Sequence, residues 1–129
     1  MSAYPCPCCG YLVFAEPPGS DDICMICFWE DDALQLRFPE LGDQTNFVPL
    51  AEAQRNYATF GAIEQRFAED VRKPTAEDVR DPDFRPLAAD DSFEETPSEE
   101  PEGGPSDPTA LYYWRPTFWR RAAGHAPAP

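Results

Sequence analysis

Histidine is nearly absent from this sequence, and its absence removes a large group of hydrolytic enzymes. The single histidine, His125, lies in a terminal stretch of alanine and proline, so general-base chemistry built on histidine is excluded. The serines lie in segments typical of turns or linkers and lack the elbow motif around a nucleophilic serine. No glycine-rich phosphate-binding motif is present. We therefore expect a protein that is not an enzyme.

Long apolar runs are missing as well. The longest uncharged apolar run covers residues 11–15, far short of a membrane-spanning helix. The N-terminal residues have neither the basic nor the apolar region of a signal peptide. All five cysteines lie within the first 27 residues, and their odd number fits a reduced metal site better than a secreted disulfide framework. We expect a cytoplasmic location and no membrane association.

Basic residues are scarce. The 129 residues include 24 Asp and Glu but only 10 Lys and Arg, which gives a formal net charge of −14. Residues 1–62 hold nine acids and two bases, whereas residues 87–109 hold eight acids and no base. Such a charge repels phosphate backbones. We expect no strong nucleic-acid binding and a protein partner with a basic surface, while the charge leaves the oligomeric state open.

Four of the cysteines form two pairs with the same spacing. Cys6 and Cys9 enclose two residues, Cys24 and Cys27 enclose two more, and fourteen residues separate the pairs. Pairs of this kind joined by a hairpin bring four sulfurs to the corners of a tetrahedron, as in structural zinc sites. The spacing predicts one Zn²⁺ on these four cysteines. Rubredoxin-like iron and thiol redox chemistry are the alternatives, and iron is disfavoured because the second pair lacks the Pro and Gly of an iron site.

The fifth cysteine, Cys8, has two possible roles. It is either a buried thiol beneath the first pair, since free cysteine often behaves as a small hydrophobic residue, or a thiol whose pKa is lowered by the nearby cation. In the second case it could replace a ligand or react. The sequence leaves both roles open.

The first 86 residues predict a small α+β domain. Residues 11–14 predict a strand, residues 17–20 a turn and residues 22–23 the return, which makes a zinc-ribbon-like β-hairpin with a cysteine pair at each end. Apolar spacing predicts a helix from Pro49 to Phe60 with Gly61 as its C-cap. A second pattern predicts a helix from residue 63 to the Lys73-Pro74 stop, so that a helical hairpin covers the ribbon. Thr75 then N-caps a short helical turn.

The remaining residues divide into two segments of opposite character. Residues 87–109 are rich in Asp, Glu, Pro, Ser and Gly, which predicts a disordered acidic linker. Residues 110–129 form an aromatic and basic segment with a tail. Five of the eleven residues in Leu111–Arg121 are aromatic and three are Arg, so we expect this stretch to dock, in cis or in trans. Its alternating pattern allows an extended strand added to the ribbon edge.

Two features beside the cysteines have competing interpretations. Glu30, Asp31 and Asp32 could hold a second metal, but a solvated turn that caps a helix or pairs with Arg55 is the more economical interpretation. The aromatic residues 28–29 could form an exposed platform for a ligand, but shielding of the sulfurs from water is the simpler role.

The Cys6-Pro7-Cys8-Cys9-Gly10 motif resembles the bacterial CPCC family of cysteine-rich proteins. The resemblance runs from about Tyr4 to Arg80 and includes residues 16–20, the block from Cys24 to Asp32, residues Ala53, Arg55, Asn56, Tyr57, Phe60 and Gly61, and Arg72-Lys73-Pro74. One position departs from the family pattern: this sequence has Pro49 where the family is expected to have a serine that N-caps the helix. The resemblance implies a zinc-ribbon-like domain and no known reaction. By analogy, genes for toxin and immunity systems are a possible genomic neighbourhood for a small domain of this kind.

Together these features predict a non-enzymatic, zinc-stabilised protein-interaction module whose partner could be a basic protein such as a toxin. One alternative is a zinc-ribbon module for nucleic acid or transcription, which requires the bases Arg55, Arg66, Arg72 and Lys73 to gather on one face. The other is a thiol or metal sensor that acts through Cys8.

Overall fold

Two short strands, a few short helices and long irregular segments make up the fold. A computed structural model describes residues 4–97, 101 and 103–122. In chain order its elements are β1 (Tyr4–Pro5), β2 (Leu12–Phe14), α1 (Ala33–Arg37), α2 (Leu50–Phe60) and α3 (Trp119–Ala122), with 3-10 helices at Gln65–Phe67 and Pro108–Leu111. The described helices include none that is long and apolar enough to cross a bilayer. The predicted α+β class is confirmed.

The hairpin differs from the prediction. β2 pairs antiparallel with β1, with Tyr4 opposite Phe14 and Pro5 opposite Leu12, rather than with residues 22–23 across the turn at 17–20. Ile23 instead makes an isolated bridge to Glu30. The reason is local, because each cysteine pair is itself the bend of its own small hairpin.

Residues 79–81 extend this sheet on the other side of β2. The Leu12 N–H donates to the Val79 carbonyl at 2.8 Å, and the Asp81 N–H donates to the Gly10 carbonyl at 2.8 Å. Tyr11 and Arg80 form the bridge between these two bonds. This edge of β2 is therefore already paired.

The helix predicted over residues 49–60 is confirmed as α2. Pro49 is its N-cap and offers no side-chain hydrogen bond, although the Pro49 carbonyl accepts the Ala53 N–H at 2.9 Å. Gly61 ends the helix in the left-handed region at φ 86°. α1 was not predicted as a helix, and it begins where the Asp32 carboxylate accepts the N–H groups of Leu34 and Gln35.

The second helix predicted after Gly61 is wrong. The chain makes only the 3-10 helix Gln65–Phe67 there, because the N–H groups of Phe67, Ala68 and Asp70 bond to the third residue back rather than the fourth. The Ile63 N–H donates to the Cys27 carbonyl at 2.9 Å, and the Arg72 N–H donates to the Met25 carbonyl at 2.9 Å. Thr75 accepts the Glu77 N–H in a turn rather than in a helix. The predicted helical hairpin is thus one helix and a loop fastened to the second cysteine pair.

The aromatic segment packs in cis on the same core. Leu111, Tyr112, Tyr113, Trp114 and Phe118 are buried in one cluster with the cysteines. The segment is not a strand. Successive backbone bonds of residue 112 to 109, 115 to 112 and 118 to 115 wind it into tight turns.

The described part of residues 87–109 contacts the body at defined points, which differs from the predicted disordered linker. The Leu87 N–H donates to Gln54 at 2.8 Å, Arg37 makes two bonds to Glu94 at 2.9 and 3.0 Å, and the Phe93 ring lies 5.8 Å from that of Tyr113. The domain boundaries after residues 86 and 109 stay a prediction. Residues 98–100, residue 102 and the tail from residue 123, with His125, lie outside the described residues.

Candidate metal centre

Residues 6–11 and residues 24–29 form two turns of the same design, named here the first and the second cysteine turn. In the first, the Cys6 N–H donates to the Tyr11 carbonyl at 2.9 Å and the Gly10 N–H to the Cys6 carbonyl at 2.7 Å. The second repeats the pattern at 2.8 and 2.7 Å between Cys24 and Trp29 and between Phe28 and Cys24. The repeat explains how two identical spacings along the chain give matched ligand geometry.

The residue after each pair adopts a left-handed backbone. Gly10 has φ 83° and Phe28 has φ 76°. This conformation turns the chain back toward its own first cysteine. Glycine enters it freely, whereas for a residue with a Cβ it costs about 1–2 kcal/mol.

The two turns face each other and bring the four predicted sulfurs together. All four sulfur atoms lie within 4.8 Å of one another. The Sγ atoms of Cys6 and Cys27 are 3.5 Å apart, and those of Cys9 and Cys24 are 3.7 Å apart. A tetrahedral zinc ion with Zn–S bonds of about 2.3 Å places its sulfurs about 3.8 Å apart. The separations fit that site and are far too long for a disulfide, for which S–S is about 2.05 Å.

The electrostatics of the cluster favour a cation. All four cysteines are buried, and burial raises the pKa of Cys6 and Cys27 well above the ordinary thiol value. The pKa of Cys24 is lowered because the Cys27, Cys6 and Cys9 thiols hydrogen-bond to it. Four thiolates together require a divalent cation to compensate their charge.

Cys8 lies beside this cluster but outside the group of four. Only 3% of it is exposed, and burial raises the pKa of its thiol. The position favours the role of a small buried hydrophobic residue over that of a reactive thiol.

The first cysteine turn is covered by residues from far along the chain. The Arg80 Nε donates to the Cys9 carbonyl at 2.8 Å, and a Cβ on Gly10 would lie 2.5 Å from the Phe84 ring. Phe84 in turn packs edge-on against Trp114 at 4.9 Å. The turn is closed to solvent by these rings.

Asp81 fastens this cover in place. Its buried carboxylate accepts the Trp114 Nε1–H at 3.0 Å and a guanidinium N–H of Arg115 at 2.9 Å. Burial by itself raises the pKa of Asp81, but the bonds from Trp114 and Arg115 together lower it. No pattern in the sequence indicates this role.

Gln54 joins three separate segments. From the buried side of α2, its amide Nε2–H group donates to the Pro7 carbonyl and to the Tyr113 hydroxyl, both at 2.9 Å, and its Oε1 accepts the Leu87 N–H at 2.8 Å. Tyr113 then donates to the Arg85 carbonyl at 2.6 Å. Helical periodicity places Gln54 beside Ala53 on the buried face, which is the one signal in the sequence for this residue.

The second cysteine turn is covered by the loop after α2. Besides the backbone bonds of Ile63 and Arg72 to this turn, the Phe28 ring stacks on Phe67 with centroids 4.4 Å apart. Trp29 is fully buried, as predicted for a residue that shields the sulfurs, and Phe28 is half-buried.

The acidic run has a structural role. Asp32 caps α1, as one member of the run was predicted to do. Asp31 is buried rather than solvated, and it accepts the hydroxyl and the N–H of Ser20 at 2.7 and 3.2 Å. Among the described residues, the four cysteines form the one group arranged to hold a metal, and no acid of this run belongs to it.

A family comparison agrees with this geometry. The family model described as cysteine-rich CPCC matches residues 4–78. The chain belongs to the cysteine-rich CPCC family. No curated protein matches the chain significantly. In this CPCC protein the matched stretch contains both cysteine turns, α1, α2 and the loop that covers the second turn. It ends before Arg80, Asp81 and the aromatic rings that cover the first cysteine turn.

Proposed function

We propose that this CPCC protein is a non-enzymatic protein-interaction module that is stabilised by one structural zinc ion. The observation that carries the proposal is the closed group of four buried sulfurs. Closed sites of four cysteines are structural, whereas catalytic zinc keeps an open position for water or substrate. Zinc is the metal proposed because four thiolates in tetrahedral spacing match its preferred ligands, although iron shares that donor set. When bound, the ion links the two cysteine turns and adds folding free energy.

The partner proposed is a basic protein, such as a toxin, in a reducing compartment such as the cytoplasm. The net charge of −14 supports this partner, and four thiolates with one Zn²⁺ would lower the formal charge to −16. An acidic surface of this size attracts basic proteins and speeds their association. Five unbridged cysteines suit a compartment that keeps thiols reduced.

The contacts of the basic residues argue against the nucleic-acid alternative. Arg66 pairs with Glu64 at 3.1 Å and Arg72 pairs with Asp78 at 2.8 Å, so two of the four bases that would have to gather on one face are already neutralised within the chain. The burial of Cys8 argues in the same way against a sensor that uses its thiol.

Metal analysis of matched cysteine variants tests the zinc proposal. We expect one zinc per chain in the purified protein. Cys9→Ser should lose the metal and unfold, because structural zinc contributes about 10 kcal/mol or more to folding. The control Cys8→Ser should keep both the metal and the fold, since Cys8 lies outside the group of four.

Four outcomes contradict the proposal: purified protein without stoichiometric zinc, iron in place of zinc, loss of metal from Cys8→Ser and Cys9→Ser alike, or a native spectrum after chelation. Elemental analysis measures metal content, and circular dichroism before and after chelation measures folding. A chelated protein that keeps its native spectrum would show that the metal is not needed for the fold.

A further inference from the structure

A small groove lined by both apolar and polar residues lies on the surface beside the second cysteine turn. Its volume is about 130 Å³, and we call it the Phe47 groove. Its apolar lining is Ile23, Phe28, Phe47, Ile63 and Phe67. Phe47 is 63% exposed and Ile23 is 44% exposed, although both are large apolar residues. Single exposed apolar residues are common. Two of them at one concavity with a ring stack in its wall form a patch.

Phe47 is held outward by its neighbours. Asn46 is buried, and its Nδ2–H group donates to the Glu30 carbonyl at 2.8 Å and to the Gln35 Oε1 at 2.9 Å. The Asn46 Oδ1 accepts the Glu30 N–H at 2.9 Å. Val48 on the other side is buried as well. Phe47 is therefore presented to solvent by a fixed loop, and little ordering is needed before a partner binds it.

The charged residues that line the groove differ in their partners. Glu64 is bonded to Arg66 at 3.1 and 3.2 Å, and the Arg66 guanidinium lies 4.4 Å from the Phe67 ring centroid. Glu30 also lines the groove, and burial together with the negative charges of Asp21 and Asp32 raises its pKa. Glu30 is therefore the lining carboxylate that a cation from a partner can approach.

We propose that the Phe47 groove binds a basic protein segment that places an apolar side chain between Phe47 and Ile23 and a Lys or Arg beside Glu30. This inference rests on the proposed function as an interaction module and names the surface that it uses. The apolar lining fits the side chain, and the Glu30 carboxylate favours a cation over another acid. A second copy of this chain is disfavoured because it carries the same charge of −14.

Peptide titrations of the full-length, zinc-loaded protein test the proposal. The first probe is a short synthetic peptide with lysines on both sides of a central leucine, and the second has serine in place of that leucine at equal charge. We expect the leucine peptide to bind about fivefold to tenfold more tightly, as for one aliphatic side chain that is partly buried in an open groove. Amide shifts should concentrate on the residues that line the groove.

Four variants of this chain separate apolar from electrostatic contributions. Phe47→Ser should remove the preference for leucine, whereas Val79→Ser, which alters a side chain that is 59% exposed and does not line the groove, should retain it. Glu30→Gln should weaken both peptides about twofold to fivefold, and the exposed control Glu77→Gln should weaken them less.

The outcomes distinguish this inference from the proposed function. Shifts that map to another acidic face overturn the groove and leave a basic partner in place. Equal binding of the two peptides, or an equal effect of Phe47→Ser and Val79→Ser, also overturns it. Absence of binding by either peptide overturns both the groove and the basic partner, while the metal analysis decides the zinc site separately.

Discussion

The two cysteine turns have the same backbone hydrogen bonds but differ in the residue that comes after each pair. The first has Gly10 in the left-handed position, and a ring from a distant segment, Phe84, packs where a Cβ would stand. The second has Phe28 there, which supplies its own ring to the stack with Phe67. One backbone geometry is thus achieved in two ways. In the first turn glycine leaves room for a cover that comes from elsewhere, and in the second the strained residue is part of the cover.

Among the changes that distinguish the two cysteine turns, truncation after Thr109 should destabilise the protein most. It removes five buried residues of the core cluster, and a single buried aromatic residue replaced by Ala already costs about 3–5 kcal/mol. Because Trp114 covers the first turn, amide exchange should rise more at Asp81, bonded to the Gly10 carbonyl, than at Arg72, bonded to the Met25 carbonyl. Hydrogen exchange measured by NMR checks this prediction. An equal rise in exchange rate at both amides would contradict the conclusion that different segments cover the two turns.

Gly10→Ala should be the next largest effect. The new Cβ meets the Phe84 ring at 2.5 Å and forces a left-handed alanine, so we expect a loss of about 2–5 kcal/mol. Gly61→Ala is the control, since Gly61 has φ 86° and no atom within 4 Å of the added Cβ. It should lose only about 1–2 kcal/mol. Urea unfolding of the zinc-loaded proteins measures both losses. Equal losses would mean that the Phe84 ring moves away from the new Cβ without a loss of stability.

Substitution of Phe28 should give the smallest and most specific effect. Phe28→Gly and Phe28→Ala both lose the stack on Phe67, worth about 0.5–1.5 kcal/mol beyond its buried area. Glycine relieves the strain at φ 76°, so Phe28→Gly should be more stable than Phe28→Ala by about 1 kcal/mol.

This order is the reverse of the usual one, in which alanine is the more stable. Ala58→Gly on the exposed face of α2 is the control, and it should destabilise by about 0.5–1 kcal/mol. The same urea titrations measure all three proteins. A Phe28→Ala protein more stable than Phe28→Gly would show that the left-handed position costs the second turn nothing.

The parts of the fold that could be predicted are those written in local spacing. Each Cys-x-x-Cys pair and the apolar period of α2 are patterns between residues that are close in the chain. The metal ligands such as Cys6 and Cys27, and the end of α2 at Gly61, could therefore be predicted from the sequence. The helix predicted after Gly61 is wrong although its apolar period is real, because its inner N–H groups bond three residues back and the Arg72 N–H bonds to the second cysteine turn. Hydrogen bonds of this kind override the helix propensity of the sequence.

Contacts between distant segments carried no signal in the sequence. Gln54 meets Tyr113 across 59 positions and Arg80 meets Cys9 across 71, and neither spacing has a periodicity that could reveal it. The docking of the aromatic segment followed from its composition alone, because so much apolar surface cannot remain in water. Its form as tight turns rests on local backbone bonds of residues 112, 115 and 118, which composition does not encode.

The pairing of residues 79–81 with residues 10–12 has a practical consequence, because the family match stops at residue 78. A fragment cut there would keep every cysteine yet leave the Leu12 N–H and the Gly10 carbonyl unpaired along an open edge. Open edges recruit strands from other molecules and lead to aggregation. Poor solubility of such a fragment would therefore be a defect of the cut rather than of the zinc site, and expression of this protein calls for a boundary beyond Phe118.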